Sequence, residues 1–448
     1  MINDIYYNPT KILFGKGMEK NVGEETAKYA KKVLIHYGSD RIKKTGLFDT
    51  VTNSLKTAGV SYMELGGVKS NPRSDLVYRG IELCRENQIT FILAIGGGSV
   101  IDSAKAIGYG VPYDGDFMDL YLGKANPESC LNIGAILTIP GSGSESSNGS
   151  VITDEKKGLK RSCDTDLARP VFAIMNPELT YTVPMYHTLA GAFDGIVHAM
   201  ERYFTNTSYV EISDGMAEGI MKALMKYMKL VINNPNDYNI RAEIMWGCKV
   251  AQDGGIGVGR EQSWTSHLLQ RDIGSIAYDS SHGAGLAVIV PHWMRHVYKQ
   301  NVPRFVRWAT RVMDVEVNPF NEEETVLEAI RRLELFIKEI GLPTTLREVG
   351  VKEESDILKM AVMPHGFEDV AAIMEATNAM RQECEKPLVS MAMGSIGSIT
   401  RISGENFGSG ITFGTVGAAS APGQFPIGEL RSLLDALHEK NEEDELKQ

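Results

Sequence analysis

Short apolar runs alternate with amphipathic stretches over roughly the first 180 residues of the chain. The apolar runs predict a buried strand at residues 32–37 and further strands at residues 61–65 and 91–95, whereas residues 48–58 and 75–87 have apolar positions at helical spacing. Strands that alternate with helices favour a mainly parallel sheet covered by helices. The pattern therefore predicts that the chain begins with an α/β domain.

The periodicity changes at residues 176–184, where two prolines close together break any helix or central strand. From residue 186 to about 340 the apolar positions recur at helical spacing almost throughout. Long helices are predicted at residues 188–204, 213–231 and 323–340. An all-helical domain is therefore expected to follow the α/β domain.

A strand-helix rhythm returns after about residue 354. Strand-like runs at residues 357–363, 387–393 and 410–414 alternate with helical patterns at residues 367–383 and 427–438. We predict three domains, over residues 1–184, 185–354 and 355–448.

The composition is that of an ordinary globular protein, with 43% hydrophobic and 23% charged residues in 448. The net charge of -11 argues against general nucleic-acid affinity, because phosphate binding needs a basic surface. The five cysteines form no CxxC pair, which suggests reduced thiols. Neither a signal peptide nor an apolar run of membrane-spanning length is found. We therefore expect a cytoplasmic protein without nucleic-acid or membrane partners.

Two glycine-rich loops follow apolar runs in the first domain. Residues 94–105 pass from a strand through Gly96-Gly97-Gly98-Ser99 into a helix, and residues 137–145 contain Gly141-Ser142-Gly143-Ser144. Glycines let a phosphate approach the backbone, and the free amides at a helix start favour a pyrophosphate. Two such loops at the carboxyl ends of strands of one sheet are what a ligand crevice requires. The pattern is not GxGxxG, and a tight packed turn remains the alternative.

Asp194 and His198 lie four residues apart in a helical stretch, so they project from one face. His267 and His282 follow further along the chain. One carboxylate and three imidazoles would suit a divalent transition metal with a position open to substrate. Such a metal would polarise a carbonyl, or acidify a bound alcohol, where hydride arrives or leaves. Spacing alone does not show that the four residues converge, and a lone histidine is more often a hydrogen-bonded core or surface residue.

Taken together, these motifs resemble the iron-containing (group III) alcohol dehydrogenases, most closely their butanol-dehydrogenase-like branch, over residues 1 to about 354. The matching segments, in order, are residues 9–15, 96–102, 141–146, 194–198, 281–283 and 341–348. The resemblance implies the dehydroquinate synthase-like fold of that family, in which an α/β nucleotide-binding domain precedes an all-helical metal domain. It also implies reduction of small aldehydes such as butyraldehyde, or oxidation of primary alcohols such as butanol, by a homodimer.

The resemblance further implies specific site residues. Iron or zinc (Fe²⁺ or Zn²⁺) would be held by Asp194, His198, His267 and His282. NAD(P)H would lie across the two glycine-rich loops, in contact with Gly38, Asp40, Asn71, Gly97, Gly98, Ser99, Asp102, Thr138, Ser142, Asn148 and Lys160. His267 and Arg271 would stand at the catalytic centre.

Two positions depart from the family pattern. The family commonly has a histidine four residues after the third ligand, where this chain has Arg271. Arginine does not titrate near neutral pH, so proton relay there is in doubt and an anionic substrate becomes more plausible. In the turn after the second strand, Asp40 would repel a 2′-phosphate and Arg41 would attract one. The choice between NADH and NADPH therefore stays open.

Residues from about 355 to 440 resemble the last third of a type I 3-dehydroquinate dehydratase, a (β/α)8 barrel enzyme. The matching segments are residues 356–364, 390–394, 400–405 and 419–424. The resemblance implies an imine-forming Lys359 and a substrate clamp of Arg401, Ser420 and Gln424. That family's general-base histidine and first strands lie in the part that is missing here. We therefore expect a partial barrel fragment with open edges and no dehydratase activity, joined to a shortened dehydrogenase.

Two other functions remain as alternatives. One is a dehydroquinate synthase-like protein of the shikimate pathway, because the dehydratase-like segment points to the same pathway. The sequence around residues 142–145 and 264–267 disfavours this alternative. The other is a fusion that binds NAD(P) and does not turn over.

Overall fold

We describe a computed structural model of the chain. It describes residues 1–157, 159–274, 280–351, 358–383, 388–410, 412, 414–415 and 422–445. The chain divides into two compact units, Met1–Val351 and Lys352–Gln448. The division lies near the boundary that the sequence predicts at residue 354, whereas the boundary predicted at residue 184 falls inside the first unit. Both boundaries stay predictions.

The α/β part of the first unit is built on a six-stranded parallel sheet in the order β1-β8-β5-β4-β2-β3. The strands of this sheet are β1 Lys11–Phe14, β2 Lys32–Tyr37, β3 Ser61–Leu65, β4 Phe91–Gly97, β5 Asn132–Ile139 and β8 Phe172–Met175. Its helices are α1 Val22–Ala27, α2 Arg41–Lys44, α3 Leu47–Thr57, α4 Ser74–Glu86, α5 Gly98–Gly110 and α6 Met118–Tyr121. The predicted parallel α/β architecture is confirmed.

Successive residues of the central strands face two separate hydrophobic cores. In β4, Ile92 and Ala94 belong to one core and Leu93 and Ile95 to the other, and all four are fully buried. A parallel sheet covered on both faces requires such continuous apolar runs. This burial explains why the strands at residues 32–37 and 91–95 are recognisable from the sequence.

An antiparallel hairpin, β6 Gly149–Asp154 with β7 Leu159–Asp164, lies outside the main sheet. The sequence analysis did not predict it. Its strands mix buried and half-buried polar residues, so neither the apolar run of a central strand nor a clean alternation marks them. The hairpin matters because it contributes Lys160 to the cleft described below.

The rest of the first unit is helical, as predicted. Its helices are α7 Met185–Tyr203, α8 Glu211–Asn233, α9 Tyr238–Gln252, α10 Thr265–Gly274, α11 His282–Val297, α12 Val302–Arg311 and α13 Glu322–Glu339. Helix α7 packs against α8, α9 and α11 and is buried along nearly its whole surface. A helix enclosed in this way has no solvated face for polar side chains. The buried polar residues of α7 therefore need partners inside the protein.

The described residues of the second unit form a two-stranded parallel sheet of β9 Leu358–Val362 and β10 Leu388–Ala392. Its helices are α14 Phe367–Glu383, α15 Gly394–Gly397, α16 Ile399–Ser403 and α17 Ile427–Glu445. The strand predicted at residues 410–414 was wrong for the part of that stretch that is described. The backbone pairs near this stretch are isolated β-bridges, such as those of Leu388 with Ser409 and of Thr415 with Pro426. A single bridge is not a paired strand.

Among the described residues, no helix is long and apolar enough to cross a membrane. Four of the five cysteines, Cys84, Cys130, Cys163 and Cys248, are free thiols, and Cys384 lies outside the described residues.

Candidate metal centre and cofactor cleft

Helix α7 carries three buried polar residues on one face. Asp194, His198 and Glu201 follow one another at helical spacing and are exposed by only 4%, 3% and 1%. Burying ionisable groups is costly unless they are paired, hydrogen-bonded or coordinated to a cation. Such a row in the core therefore indicates a site rather than ordinary packing.

Three imidazoles surround one oxygen of Asp194. Its Oδ1 lies 3.7 Å from Nε2 of His198, 3.4 Å from Nε2 of His267 and 3.6 Å from Nε2 of His282. A tetrahedral cation with bonds of about 2.1 Å separates its ligands by about 3.4 Å. The ligating atoms of Asp194, His267 and His282 all lie within 4.8 Å of one another, and His198 joins them through its contact with Asp194 Oδ1. The structure thus places the three predicted histidines around one predicted carboxylate.

Three atoms of this cluster are buried without a hydrogen-bond partner among the described residues, namely Asp194 Oδ1, His267 Nε2 and His198 Nδ1. Orphaned buried groups are rare in folded proteins because each carries a desolvation cost. A divalent cation between Asp194 Oδ1 and His267 Nε2 would satisfy these two atoms, so the donor set fits a metal.

The protonation states also suit a cation. Burial alone would raise the pKa of Asp194, but the neighbouring histidines outweigh burial and hold the pKa well below its usual range. Burial lowers the pKa of His282 to about 3 and that of His198 well below its ordinary value. An ionised Asp194 beside neutral His198 and His282 is the form in which these side chains bind metals.

Two further polar residues orient the histidines. Glu201 Oε1 lies 3.1 Å from Nδ1 of His267 and also accepts the backbone N–H of His267 at 3.0 Å. Burial would lower the pKa of His267, but the neighbouring carboxylates of Asp194 and Glu201 raise it. The fully buried Gln270 contacts Nδ1 of His282 through Oε1. These contacts turn the Nε2 atoms of both rings towards Asp194, as outer partners of metal-bound histidines do.

The sequence analysis missed Glu201 and Gln270. Glu201 lies seven residues after Asp194, and Gln270 lies three residues after His267. Both spacings place a polar residue on the same helical face as a candidate ligand. Helical spacing applied outward from the ligands could have found them.

Aromatic rings enclose one side of the cluster. The rings of His198 and His267 stack with centroids 4.7 Å apart, and the Trp264 ring meets them edge-on at 6.0 Å and 5.2 Å. The Arg202 guanidinium lies 4.6 Å from the Trp264 ring centroid. Trp264 has a φ of +58°, a conformation that bulky residues rarely adopt. Trp264 therefore reaches this position at the cost of local strain.

The first glycine loop joins β4 to α5, as predicted, and it touches the second loop. A Cβ at Gly98 would stand 2.2 Å from the Ser142 hydroxyl, and one at Gly97 would stand 3.1 Å from the Ile139 side chain. Ser99 lies in the first turn of α5. Close packing therefore already demands these glycines, and the 13-residue helix α5 begins directly at this loop, where its free amides would favour an anion.

Asp102 and Lys105 of α5 tie the second loop in place. Asp102 accepts hydrogen bonds from the Ser144 hydroxyl at 2.5 Å and the Val151 amide at 3.0 Å. The fully buried Lys105 donates to the same hydroxyl and to the carbonyls of Ser147 and Gly149. Asp102 is predicted to contact the cofactor, and its described hydrogen bonds hold the second glycine-rich loop in place.

The remaining predicted cofactor residues lie along the carboxyl edge of the sheet and on the adjoining loops. Strands β5, β4 and β2 are neighbours; Thr138 lies near the end of β5, and Gly38 directly follows β2. Asp40 precedes α2, and Asn148 precedes β6. Lys160 of β7 donates to Asn71 Oδ1 at 3.0 Å, and Asn71 has a φ of +53°. The carboxyl edge is where open α/β sheets bind ligands.

Comparison with known proteins agrees with this geometry. A model of the iron-containing alcohol dehydrogenase family matches residues 9–177, and the model of that family's C-terminal part matches residues 188–391. A probable NADH-dependent butanol dehydrogenase of Bacillus subtilis is 37% identical, over 84% of this chain and 100% of its own length. The chain belongs to the iron-containing alcohol dehydrogenase family. The oxidoreductase class predicted from the sequence is thereby confirmed.

Other members of the family show the same relationship. The NADPH-dependent aldehyde reductase YqhD of Escherichia coli is 33% identical over 79% of this chain and 91% of its own length. The solved structure of an NADH-dependent butanol dehydrogenase A from Thermotoga maritima superposes with a TM-score of 0.76 at 36% identity, covering 85% of this chain and 91% of that one. The predicted dehydrogenase fold is confirmed.

The C-terminal segment matches a second family. A model of type I 3-dehydroquinase covers residues 347–441 and overlaps the dehydrogenase match over residues 347–391. The predicted resemblance is confirmed. Because the two matches overlap, the junction near residue 354 and the shortening of the dehydrogenase stay predictions.

The structure describes the predicted dehydratase residues only in part. Lys359 lies in β9, but its side chain and all of Ser420 lie outside the described residues. Arg401 is buried in α16, and Gln424 precedes α17. The described part of the second unit pairs two strands in its sheet, where a closed barrel needs about eight. The expectation of a partial barrel fragment is confirmed for these residues.

We predict that Glu201→Gln weakens binding of Zn²⁺ or Fe²⁺ by about 10- to 100-fold, because His267 loses the charged partner that orients its ring. Competition with a chromophoric chelator measures this affinity. Glu316→Gln, at an exposed loop position, is the matched control and should bind like the unmodified protein. Equal affinities for the Glu201 and Glu316 variants would contradict this role.

We also predict a pH-dependent contribution of Lys105 to stability. Burial lowers its pKa from 10.5 to about 8 in the folded chain, so the unfolded chain binds more protons between these values. Stability from this residue therefore rises as the pH increases from 8 towards 10.5. In urea unfolding, the unmodified protein should gain free energy of unfolding relative to Lys105→Met over this window.

The exposed Lys56 supplies the control for this measurement. Lys56→Met removes a lysine from the surface and is measured over the same pH range. A difference for Lys105→Met that varies no more with pH than the difference for Lys56→Met would show that the Lys105 ammonium is not desolvated.

Proposed function

We propose that the protein is a metal-dependent NAD(P)H aldehyde reductase that also oxidises small primary alcohols, with butanal and butan-1-ol as representative substrates. The observation that carries the proposal is the convergence of three imidazoles on Asp194 Oδ1 at 3.4–3.7 Å. The printed functions of the relatives, butanol dehydrogenase and aldehyde reductase, support the substrate class.

The proposed reaction balances with the nicotinamide alone as redox partner. A hydride from NAD(P)H goes to the carbonyl carbon and a proton from solvent goes to the oxygen, which yields a primary alcohol and NAD(P)⁺. The cluster of Asp194, His198, His267 and His282 would hold Fe²⁺ or Zn²⁺, which as a Lewis acid polarises a carbonyl. Glu201 and Gln270 keep two of the imidazoles in register for that cation.

The cofactor would bind where α5 begins. Backbone amides at Gly97, Gly98 and Ser99 and the positive end of the helix dipole favour a pyrophosphate. Lys160, joined to Asn71, adds a positive charge at the cleft. Some relatives are named as NADH-dependent and others as NADPH-dependent. In this chain Asp40 would repel the 2′-phosphate of NADPH, whereas Arg41 would attract it. The proposal therefore covers both nucleotides. A homodimer and a cytoplasmic location stay predictions.

We predict that the metal-supplemented protein oxidises NADH or NADPH when butanal is added, and that His282→Ala lowers kcat/KM by at least about a hundredfold because carbonyl polarisation is lost. Absorbance of the reduced nicotinamide measures the rate. His292→Ala, at an exposed position on the same helix α11, is the matched control and should retain activity. Turnover that survives His282→Ala, or no turnover with either metal and either nucleotide, would contradict the proposal.

A further inference from the structure

One face of α10 connects the metal cluster to the hairpin of β6 and β7. His267, Arg271 and Gly274 lie at helical spacing on that face. At one end, His267 Nε2 is 3.4 Å from Asp194 Oδ1, and at the other a Cβ on Gly274 would be 3.0 Å from Lys160 Nζ. Arg271 therefore stands about one turn from each, between the cluster and Lys160.

One buried hydrogen-bond donor of Arg271 lacks an acceptor among the described residues. Its Nε is buried and has no hydrogen-bond partner among the described residues. A guanidinium keeps its charge near neutral pH and offers five N–H donors in a planar fork. A buried donor without an acceptor is rare in a native protein and calls for an explanation such as a ligand.

Lys160 adds a second positive charge beside Arg271. Burial, and next the charge of Arg271, lower the pKa of Lys160 to about 8. Lys160 Nζ also lies beside Gly274, about one helical turn from Arg271. An anion bound near these two side chains would relieve the repulsion between their charges.

Two acidic groups near these cations already have partners. Asp194 faces the three imidazoles, and Asp102 accepts hydrogen bonds from Ser144 and Val151. Burial raises the pKa of Asp164, at the end of β7, by more than the charges of Lys105 and Arg271 lower it. Among the described residues, no carboxylate accepts a hydrogen bond from Arg271 Nε.

We propose that Arg271 binds a carboxylate of the substrate, so that the preferred substrate is a small aldehyde acid whose carboxylate lies a few carbons from its carbonyl. This inference rests on the proposed function, since it places the carbonyl at the cluster one helical turn from Arg271. An arginine binds a carboxylate through two parallel, charge-assisted hydrogen bonds. The phosphates of the nucleotide have their own place at the start of α5, which favours the substrate as the source of the anion.

A matched pair of substrates tests the inference. Butanal and 4-oxobutanoate have four carbons each and differ in a terminal methyl or carboxylate group. The metal-supplemented protein should reduce 4-oxobutanoate with a higher kcat/KM than butanal. Arg271→Gln should lower the ratio of the two kcat/KM values by about tenfold or more, through KM for 4-oxobutanoate. Arg271→Lys should retain part of the ratio, and Arg79→Gln, at an exposed position of α4, should retain all of it.

Two results would overturn the inference. One is an equal or lower kcat/KM for 4-oxobutanoate in the unmodified protein. The other is that Arg271→Gln changes both substrates by the same factor and raises KM for the nucleotide, which would assign Arg271 to the cofactor.

Calorimetric titration separates this inference from the proposed function. The products 4-hydroxybutanoate and butan-1-ol are titrated into the metal-loaded protein, with and without the nucleotide. Tighter binding of 4-hydroxybutanoate that Arg271→Gln abolishes supports carboxylate recognition even when neither aldehyde is reduced, in which case only the dehydrogenase proposal fails. Equal binding of the two products overturns carboxylate recognition, whatever the turnover.

Discussion

The structure depends on one desolvated carboxylate. Asp194 is buried in the middle of α7, and its Oδ1 faces three imidazole nitrogens at 3.4–3.7 Å. Such an arrangement is costly in a protein core without a cation to neutralise it. The partners of Asp194 come from three different helices, so the packing of α7, α10 and α11 and the geometry of the site constrain each other.

The α/β part supplies the second half of the site. Parallel strands align their carboxyl ends at one edge, and the glycine loop after β4 leaves the start of α5 accessible there. Lys105, buried beneath that loop, links α5 to the loop of residues 141–149. In the proposed function, these loops would hold the nucleotide and the Asp194 cluster would hold the cation, so that hydride passes between two positioned molecules.

Much of this arrangement could be predicted from the sequence. The strands at residues 32–37 and 91–95 are buried on both faces, so their apolar runs are unmistakable. Glu201 and Gln270 share a helical face with predicted ligands, and this spacing is the only signal of their role in the sequence. Their contacts with His267 and His282 depend on the tertiary structure. The hairpin at residues 149–164 and the misassigned strand at 410–414 depend on pairing partners that local periodicity does not specify. Whether the four candidate ligands converge likewise depends on the tertiary structure.

Anomalous X-ray diffraction from crystals grown with Zn²⁺ or Fe²⁺ shows whether the four side chains bind one metal ion. We expect one strong anomalous peak within bonding distance of Asp194 Oδ and of the Nε2 atoms of His198, His267 and His282. An anomalous peak at other residues only, or none with these four side chains ordered as they are here, would contradict it.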